Sequence, residues 1–343
     1  MASSAPVKIL IGYHKPARLF KSNILVPVQG GRACCREITK DGALDESDIA
    51  WLANNTLGDD TGDNWSAYNR YINELTVVYW AWKNYAALGD PNYIGFMQYG
   101  KHLILNPYME IPRRKWSAVG EAYCYAPQEY AAGGNLSEKC VLEAIKGWDI
   151  LCTEKGDVKA VGASCCAEQL NRVSEGRGRE LLALAGRAVR ERWPRFVPYM
   201  KELEENSQMY LSNLFIMRRE LFFGYCEFIF DVLRDVLNGM DLSGCDAVQK
   251  RAPAFLGEFL TSVFLRSCEK EYRMKACKTA VLSEPAPEEL LTDVVLLGRL
   301  KRSWWKYRLL THITWGKVQK NCRRRKHLLA QRIERAEAYF NRS

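Results

Sequence analysis

Residues 58–66, GDDTGDNWS, place the carboxylates of Asp59, Asp60 and Asp63 and the amide of Asn64 on a glycine-containing stretch. Carboxylates crowded in this way can hold a cation, or they can accept hydrogen bonds from a ligand. Their spacing is not the D-x-[DN]-x-[DN]-G of a calcium loop, and no D-x-D triplet occurs anywhere in the 343 residues. The chain has four histidines, at 14, 102, 312 and 327, and twelve cysteines with no C-x-x-C unit. A dedicated metal cage is therefore not expected, although a divalent cation such as Mg²⁺ or Mn²⁺ is not excluded. Asp63, Asn64 and Ser66 have the types that cap a backbone before a helix.

The elements that would position such a loop are legible in part. VKILIGYH (7–14) is a short, β-branched apolar run ending in polar residues, as in a first strand whose carboxyl end faces a ligand. NELTVVYWAWKN (73–84) has helical spacing, and NYIGFMQY (92–99) is a second strand entered through Gly89-Asp90-Pro91. Strand, helix and strand of this size imply a parallel βαβ unit. Ser137 is placed to cap a helix ahead of a strand at 149–152. Helices are expected at about 178–193 and 195–205, parted at Pro194. YLSNLFIM (210–217) reads as a core strand, followed by a helix that ends near Gly239. FLGEFLTSVFLRSCEKEYRM reads as another helix and KACKTAVL as a last strand.

Composition excludes a disordered chain: 48% of residues are hydrophobic and 26% charged. No apolar run reaches transmembrane length and no signal peptide is visible, so a cytoplasmic protein with mostly reduced core thiols is expected. The net charge of +9 is unevenly divided. Residues 299–335 hold thirteen Lys/Arg against Glu334 alone, which leaves 36 basic and 39 acidic residues elsewhere, a body near −3 and a tail near +12.

YHKP (13–16), VPVQGG (26–31), GDDTGDN (58–64), ELTVVYWAWKN (74–84), YIGFMQYGKHL (93–103), SNLFIMRRELFFGYCEFIF (212–230) and QKRAPAFLGEFL (249–260) occur in this order. Together they resemble a bacterial family of capsule, exopolysaccharide and O-antigen glycosyltransferases, galactofuranosyltransferase-like in type, over about residues 7–282. The resemblance implies an α/β fold: a GT-A-like nucleotide-binding domain with a mostly parallel central sheet over residues 1–284. Beyond it, composition leads to the expectation of a basic amphipathic helical extension over 285–343. The resemblance also implies a nucleotide-sugar donor, UDP-linked and in one case UDP-galactofuranose, and a glycan or lipid-linked glycan acceptor.

Residue roles follow from the resemblance. Tyr13, His14 and Lys15 would meet the nucleotide, or Tyr13 and Pro16 only shape a turn. Without a cation, Asp59, Asp60, Asp63 and Asn64 would accept hydrogen bonds from sugar or ribose hydroxyls. Gln98, Tyr99, Lys101 and His102 stand where the family has His-Tyr-Arg-Arg-Tyr, whose arginines would pair with phosphate. Here Lys101 keeps one charge and a protonated His102 could assist, while the family's first His and first Arg are Gln98 and Gly100. Glu258 matches the family's Glu and is the candidate general base, or a glutamate favouring a helix N-terminus. The Arg that follows it in the family is Phe259 here. Asn213 would bind sugar hydroxyls or satisfy backbone, and Arg251 would contact phosphate or form a salt bridge. The tryptophans of 79–82 read as core.

The tail mixes cations with Trp304, Trp305, Tyr307 and Trp315, and Arg323, Arg324 and Arg325 form a run. Such a helix suits an anionic membrane surface at the inner face of the cytoplasmic membrane. Nucleic-acid binding is the competing use and is not expected, because the body offers no second basic face. A family relative that has lost catalysis and acts as a scaffold is the alternative to an enzyme.

Overall fold

The structure is a computed structural model that describes residues 6–38, 42–109 and 122–283, with Trp304, Cys322 and Lys326. It divides into two compact units, Met1–Ser283 and Glu284–Ser343. In the second unit the three described residues are helical, with Cys322 buried and Trp304 and Lys326 half-buried.

The first unit carries twelve described strands: β1 Val7–Tyr13, β2 Leu25–Gln29, β3 Leu57–Gly58, β4 Tyr93–Gln98, β5 Lys101–Leu103, β6 Ala122–Tyr125, β7 Ile150–Thr153, β8 Lys155–Asp157, β9 Gln208–Tyr210, β10 Phe215–Arg218, β11 Met274–Cys277 and β12 Thr279–Leu282. The helices are α1 Glu46–Asn55, α2 Asn69–Ile72, α3 Leu75–Lys83, α4 Pro127–Ala132, α5 Glu138–Ile145, α6 Cys166–Val173, α7 Gly178–Arg192, α8 Val197–Glu205, α9 Arg219–Gly239 and α10 Ala252–Cys268. The main sheet runs β11-β7-β10-β4-β1-β2-β3, and β5, β12 and β6 extend it from β4. Its core β4-β1-β2-β3 is parallel. β10 enters antiparallel between β4 and β7.

Period-two alternation explains the layers. Leu10, Phe96, Phe215 and Met217 point into one core with α3, α7, α9 and α10. Ile9, Ile11, Met97 and Ile216 point into the other, with Leu52 of α1, Tyr130 of α4 and Val141 of α5. A sheet buried on both faces selects near-continuous apolar strands, which is why VKILIGY is legible as β1. α3 is buried from Leu75 through Ala81, so its tryptophan-rich sequence serves packing.

Three expectations are corrected. YLSNLFIM is not one strand: the ladder stops at Tyr210 and resumes at Phe215, with Ser212 (φ 72°) and Asn213 (φ 49°) left-handed between. KACKTAVL is likewise two strands, β11 on β7 and β12 on β5 and β6, because the Lys278 carbonyl leaves the ladder to accept from Ile104 N–H. α10 begins at Ala252, with Pro253 in the first turn where a missing N–H costs nothing. Glu258 therefore lies within the helix and not at its start.

Candidate functional site

The chain leaves β1 for β2 and β3 on one side, then returns to β4 on the other side of β1. That reversal opens a crevice beyond the carboxyl ends of β1 and β4, where ligands of doubly wound sheets bind. The loops that meet there are Tyr13-His14-Lys15 and Gln98-Tyr99-Gly100, tied by the Tyr99 N–H donating to the Gly12 carbonyl at 2.9 Å. Tyr13 is buried, donates its hydroxyl to the Arg18 carbonyl (2.9 Å), and accepts from Phe20 N–H (2.9 Å). Burial pushes its phenol up to about 12. The hydroxyl of Tyr13 thus shapes its own loop, and the ring stacks on Tyr99 at 5.7 Å. His14 and Lys15 are exposed at the rim, with the His14 ring edge-on to Tyr99 at 5.1 Å.

Behind this rim five polar side chains converge. Gln98 Nε2 and Asn213 Nδ2 both donate to Glu74 Oε1, each at 3.1 Å. The Ser212 N–H donates to Glu258 Oε1. Burial raises the Glu258 carboxyl above the ordinary range, the Ser212 hydrogen bond and the Lys101 charge oppose this, and Glu74 adds to it. Glu74 and Lys101 therefore act on Glu258 through space. Asn213 is buried and its Oδ1 accepts no hydrogen bond among the described residues.

Backbone strain concentrates here. Five non-glycine residues among those described have positive φ, and three of them, Asn73, Ser212 and Asn213, adjoin Glu74 or the Glu258 partner. Left-handed backbone at a non-glycine residue costs about 1–3 kcal/mol unless the surroundings over-determine it. Asn73 is held by Asn69, Thr76 and Arg251, whose Nε donates to Asn73 Oδ1 at 3.2 Å. The turn at 211–214 is held by Thr153 Oγ1 on the Leu211 carbonyl, Ser262 Oγ on the Tyr210 carbonyl, and Glu258.

The acidic loop has a different internal economy from the one expected. Asp59 is fully buried and accepts from Gly31 N–H (2.8 Å), Arg32 N–H (3.1 Å) and the Ser66 hydroxyl. Its oxygens fasten the loop after β2. Asn64 folds on itself, donating to the Gly62 carbonyl and accepting from Ser66 N–H. Asp63 accepts from the Tyr79 hydroxyl (3.1 Å), the Asp63 carbonyl from Asn84, and Thr61 Oγ1 from the Trp80 indole (2.9 Å). The loop is thus pinned along α3, and Asp60 and Asp63 remain exposed.

His102 is corrected outright. It lies in β5, fully buried, edge-on to Phe20 at 4.9 Å and 5.1 Å from Tyr130. Burial lowers it to about 3; the Gln98 backbone opposes this slightly without hydrogen-bonding geometry to either ring nitrogen. A protonated His102 assisting a phosphate is excluded by that environment. Among the described residues, no three His, Cys, Asp or Glu side chains gather as metal ligands would. Nor is any described helix long and apolar enough to cross a membrane. Trp305, Trp315, Arg323, Arg324 and Arg325 lie outside the described residues.

Glu74 and Ser212 are the site residues that sequence reasoning overlooked. Glu74 stands at the head of a helix whose tryptophans draw the eye to the core. Its signal was its place beside Asn73, a polar pair opening an otherwise apolar helix. Ser212 acts through its N–H, which side-chain chemistry cannot signal.

A family model for a domain of unknown function, DUF4422, matches residues 8–270. No curated protein matches the chain. A solved structure, the apo structure of the bifunctional glycosyltransferase WbbM, is similar with a TM-score of 0.68 at 26% identity. The match covers 81% of this chain and 45% of WbbM, so the chain spans less than half of that protein's length. The α/β architecture, with its mainly parallel central sheet, is GT-A-like as expected. The chain belongs to the DUF4422 family.

Proposed function

We propose that this protein is a glycosyltransferase that moves a sugar from a nucleotide-activated donor to a hydroxyl of a glycan or lipid-linked glycan. The observation that carries the reading is the half-buried Glu258 beside Lys101, Glu74 and Asn213 at the switch point of a sheet similar to that of a glycosyltransferase. In an inverting transfer, Glu258 takes the proton of the acceptor hydroxyl as its oxygen bonds the anomeric carbon. The bond from that carbon to the donor phosphate breaks, and the nucleoside diphosphate leaves with the electron pair. Lys101 supplies positive charge near the leaving group, and His14 and Lys15 lie at the rim for the nucleotide. UDP is the favoured nucleotide, galactofuranose one candidate sugar, and cell-surface polysaccharide synthesis the setting, all on the motif resemblance.

A thermal-shift panel of nucleotide sugars, with and without Mg²⁺ or Mn²⁺, tests this reading. Stabilisation by one UDP-sugar without metal supports a metal-independent transferase. Silence across the panel favours a second reading, a family relative that has lost catalysis and acts as a scaffold. That reading draws on Gln98, Gly100 and Phe259, and Phe259 is a core side chain where the resembled family has arginine. The tail, with Trp304, Trp305, Trp315 and the arginine run, would hold the protein at an anionic membrane surface near a lipid-linked acceptor.

A further inference from the structure

We infer that Glu74 is a positioning residue that sets a two-carbonyl clamp for the hydroxyls of a sugar ring, an assignment that rests on the glycosyltransferase reading. An ionised carboxylate only accepts hydrogen bonds. Two amide side chains that both reach Glu74 Oε1, Gln98 at 3.1 Å and Asn213 at 3.1 Å, must each turn their NH₂ toward it. The orientation of both amides follows from charge, not from any choice of the amides themselves. Each then presents its carbonyl oxygen away from Glu74.

Asn213 Oδ1 carries the argument to a ligand. It is a buried acceptor with no donor among the described residues, and such an atom costs about 1–3 kcal/mol if left unpaired. The left-handed backbone of Asn213 adds strain, and it is held by a turn fastened from three sides. Gln98 is half-buried, and its donation from Nε2 to Glu74 leaves Oε1 as the free end of the amide to face a ligand.

The chemistry of this cluster selects the ligand. Two amide carbonyls and the Glu258 carboxylate are all acceptors, and Lys101 is the cation that acts on Glu258. A phosphate, itself an acceptor, would meet repulsion from Gln98 and Asn213. A polyhydroxylated ring would donate to both. Gln98 thereby belongs to the sugar side of the site, although it occupies a position where the resembled family carries a histidine in its phosphate-pairing motif.

Isothermal titration of the full chain with UDP and with a panel of UDP-hexoses decides the matter. The variants are Gln98→Met, Asn213→Asp, which keeps a residue tolerant of left-handed backbone, and Glu74→Gln, which removes the charge that orients both amides. The expected result is a loss of about tenfold in the affinity that the sugar adds over UDP, from one hydrogen bond each, with UDP itself bound within about twofold. Equal loss for UDP and UDP-sugar would move these residues to the phosphate side and overturn the clamp. An undiminished sugar contribution in all three would overturn it too.

A second measurement separates the clamp from the functional reading. In Asn213→Asp two carboxylates face each other where a donor met an acceptor. The variant is expected to lose stability against wild type increasingly as pH rises through the carboxylate range. If no UDP-hexose binds wild type yet this pH-dependent loss is present, the transferase reading fails while Glu74's hold on Asn213 stands. A pH-independent loss would remove the Glu74–Asn213 contact and the clamp with it.

Discussion

At the scale of single residues, Glu258 is half-buried and His102 fully buried, and the loss of water moves these two ionisable groups in opposite senses. Glu258 is raised, so the proposed base works above the range of an ordinary glutamate. The rate of transfer from a UDP-sugar is expected to rise with pH through that apparent value. Glu258→Gln should lower kcat/KM by about 10²–10⁴ and abolish the limb, as pH–rate profiles of the two proteins would show. Because the folded value lies above the unfolded one, ionising Glu258 costs stability as pH rises through the folded value. Glu258→Gln should therefore be the more stable protein at pH 7 in denaturant titrations, while the two converge in acid. His102 has the contrary sign. Its folded value of about 3 lies below the unfolded 6.5, so stability is complete above pH 6.5 and falls as pH drops toward 3. His102→Phe fits a cage already made of Phe20 and Tyr130 and removes two unpaired nitrogens. Its acid limb should be shallower when both proteins are unfolded in urea between pH 7 and pH 4, and an unchanged slope would clear His102 of the effect.

At the scale of elements, the site rests on loops that are pinned by distant partners, and this decides what a sequence can disclose. β1, α3 and β4 are legible because each is a continuous apolar run with its own period, and their order alone places the crevice at Tyr13 and Gln98. The interruption of YLSNLFIM is not legible. Its residues favour a strand, and the break is imposed from the carboxylate of Glu258, on a helix 46 residues later in the chain. The same holds for Asp59, whose type suggests a ligand while its oxygens serve Gly31 and Arg32, brought near only by the β2–β3 pairing. The acidic loop gives a direct test of pinning. At Gly62 (φ 58°) an added Cβ would lie 2.0 Å from Asn84 Oδ1, and Asn84 is itself fixed by its bonds to the Asp63 and Trp80 carbonyls. Gly62→Ala should cost about 1–3 kcal/mol and lower the Tm by several degrees. Gly147→Ala carries a comparable φ of 79° with nothing within 4 Å, so scanning calorimetry of both isolates the clash from the backbone strain.

At the scale of the whole molecule, charge and family coverage draw the same division. The family match ends at residue 270, and the +12 of residues 299–335 lies wholly beyond it. The cationic segment therefore adds something that the shared domain does not encode. A body near −3 gives nucleic acid no extended basic track, whereas the proposed membrane contact would use a short segment of cations mixed with tryptophans, the composition that suits an interface between water and anionic lipid. Each Lys or Arg near such a surface contributes about 1 kcal/mol. Replacing Arg323, Arg324 and Arg325 by Gln in the full chain should remove about 3 kcal/mol, or roughly a hundredfold in vesicle affinity. Flotation with phosphatidylserine-containing vesicles, against phosphatidylcholine alone and over a salt series, reads that loss. A transferase anchored in this way should keep its turnover on a soluble acceptor after the triple replacement and lose it on a vesicle-embedded one. If flotation survives the replacement while a DNA mobility shift disappears, the basic segment binds nucleic acid, and a lipid-linked acceptor no longer follows from the charge of this chain.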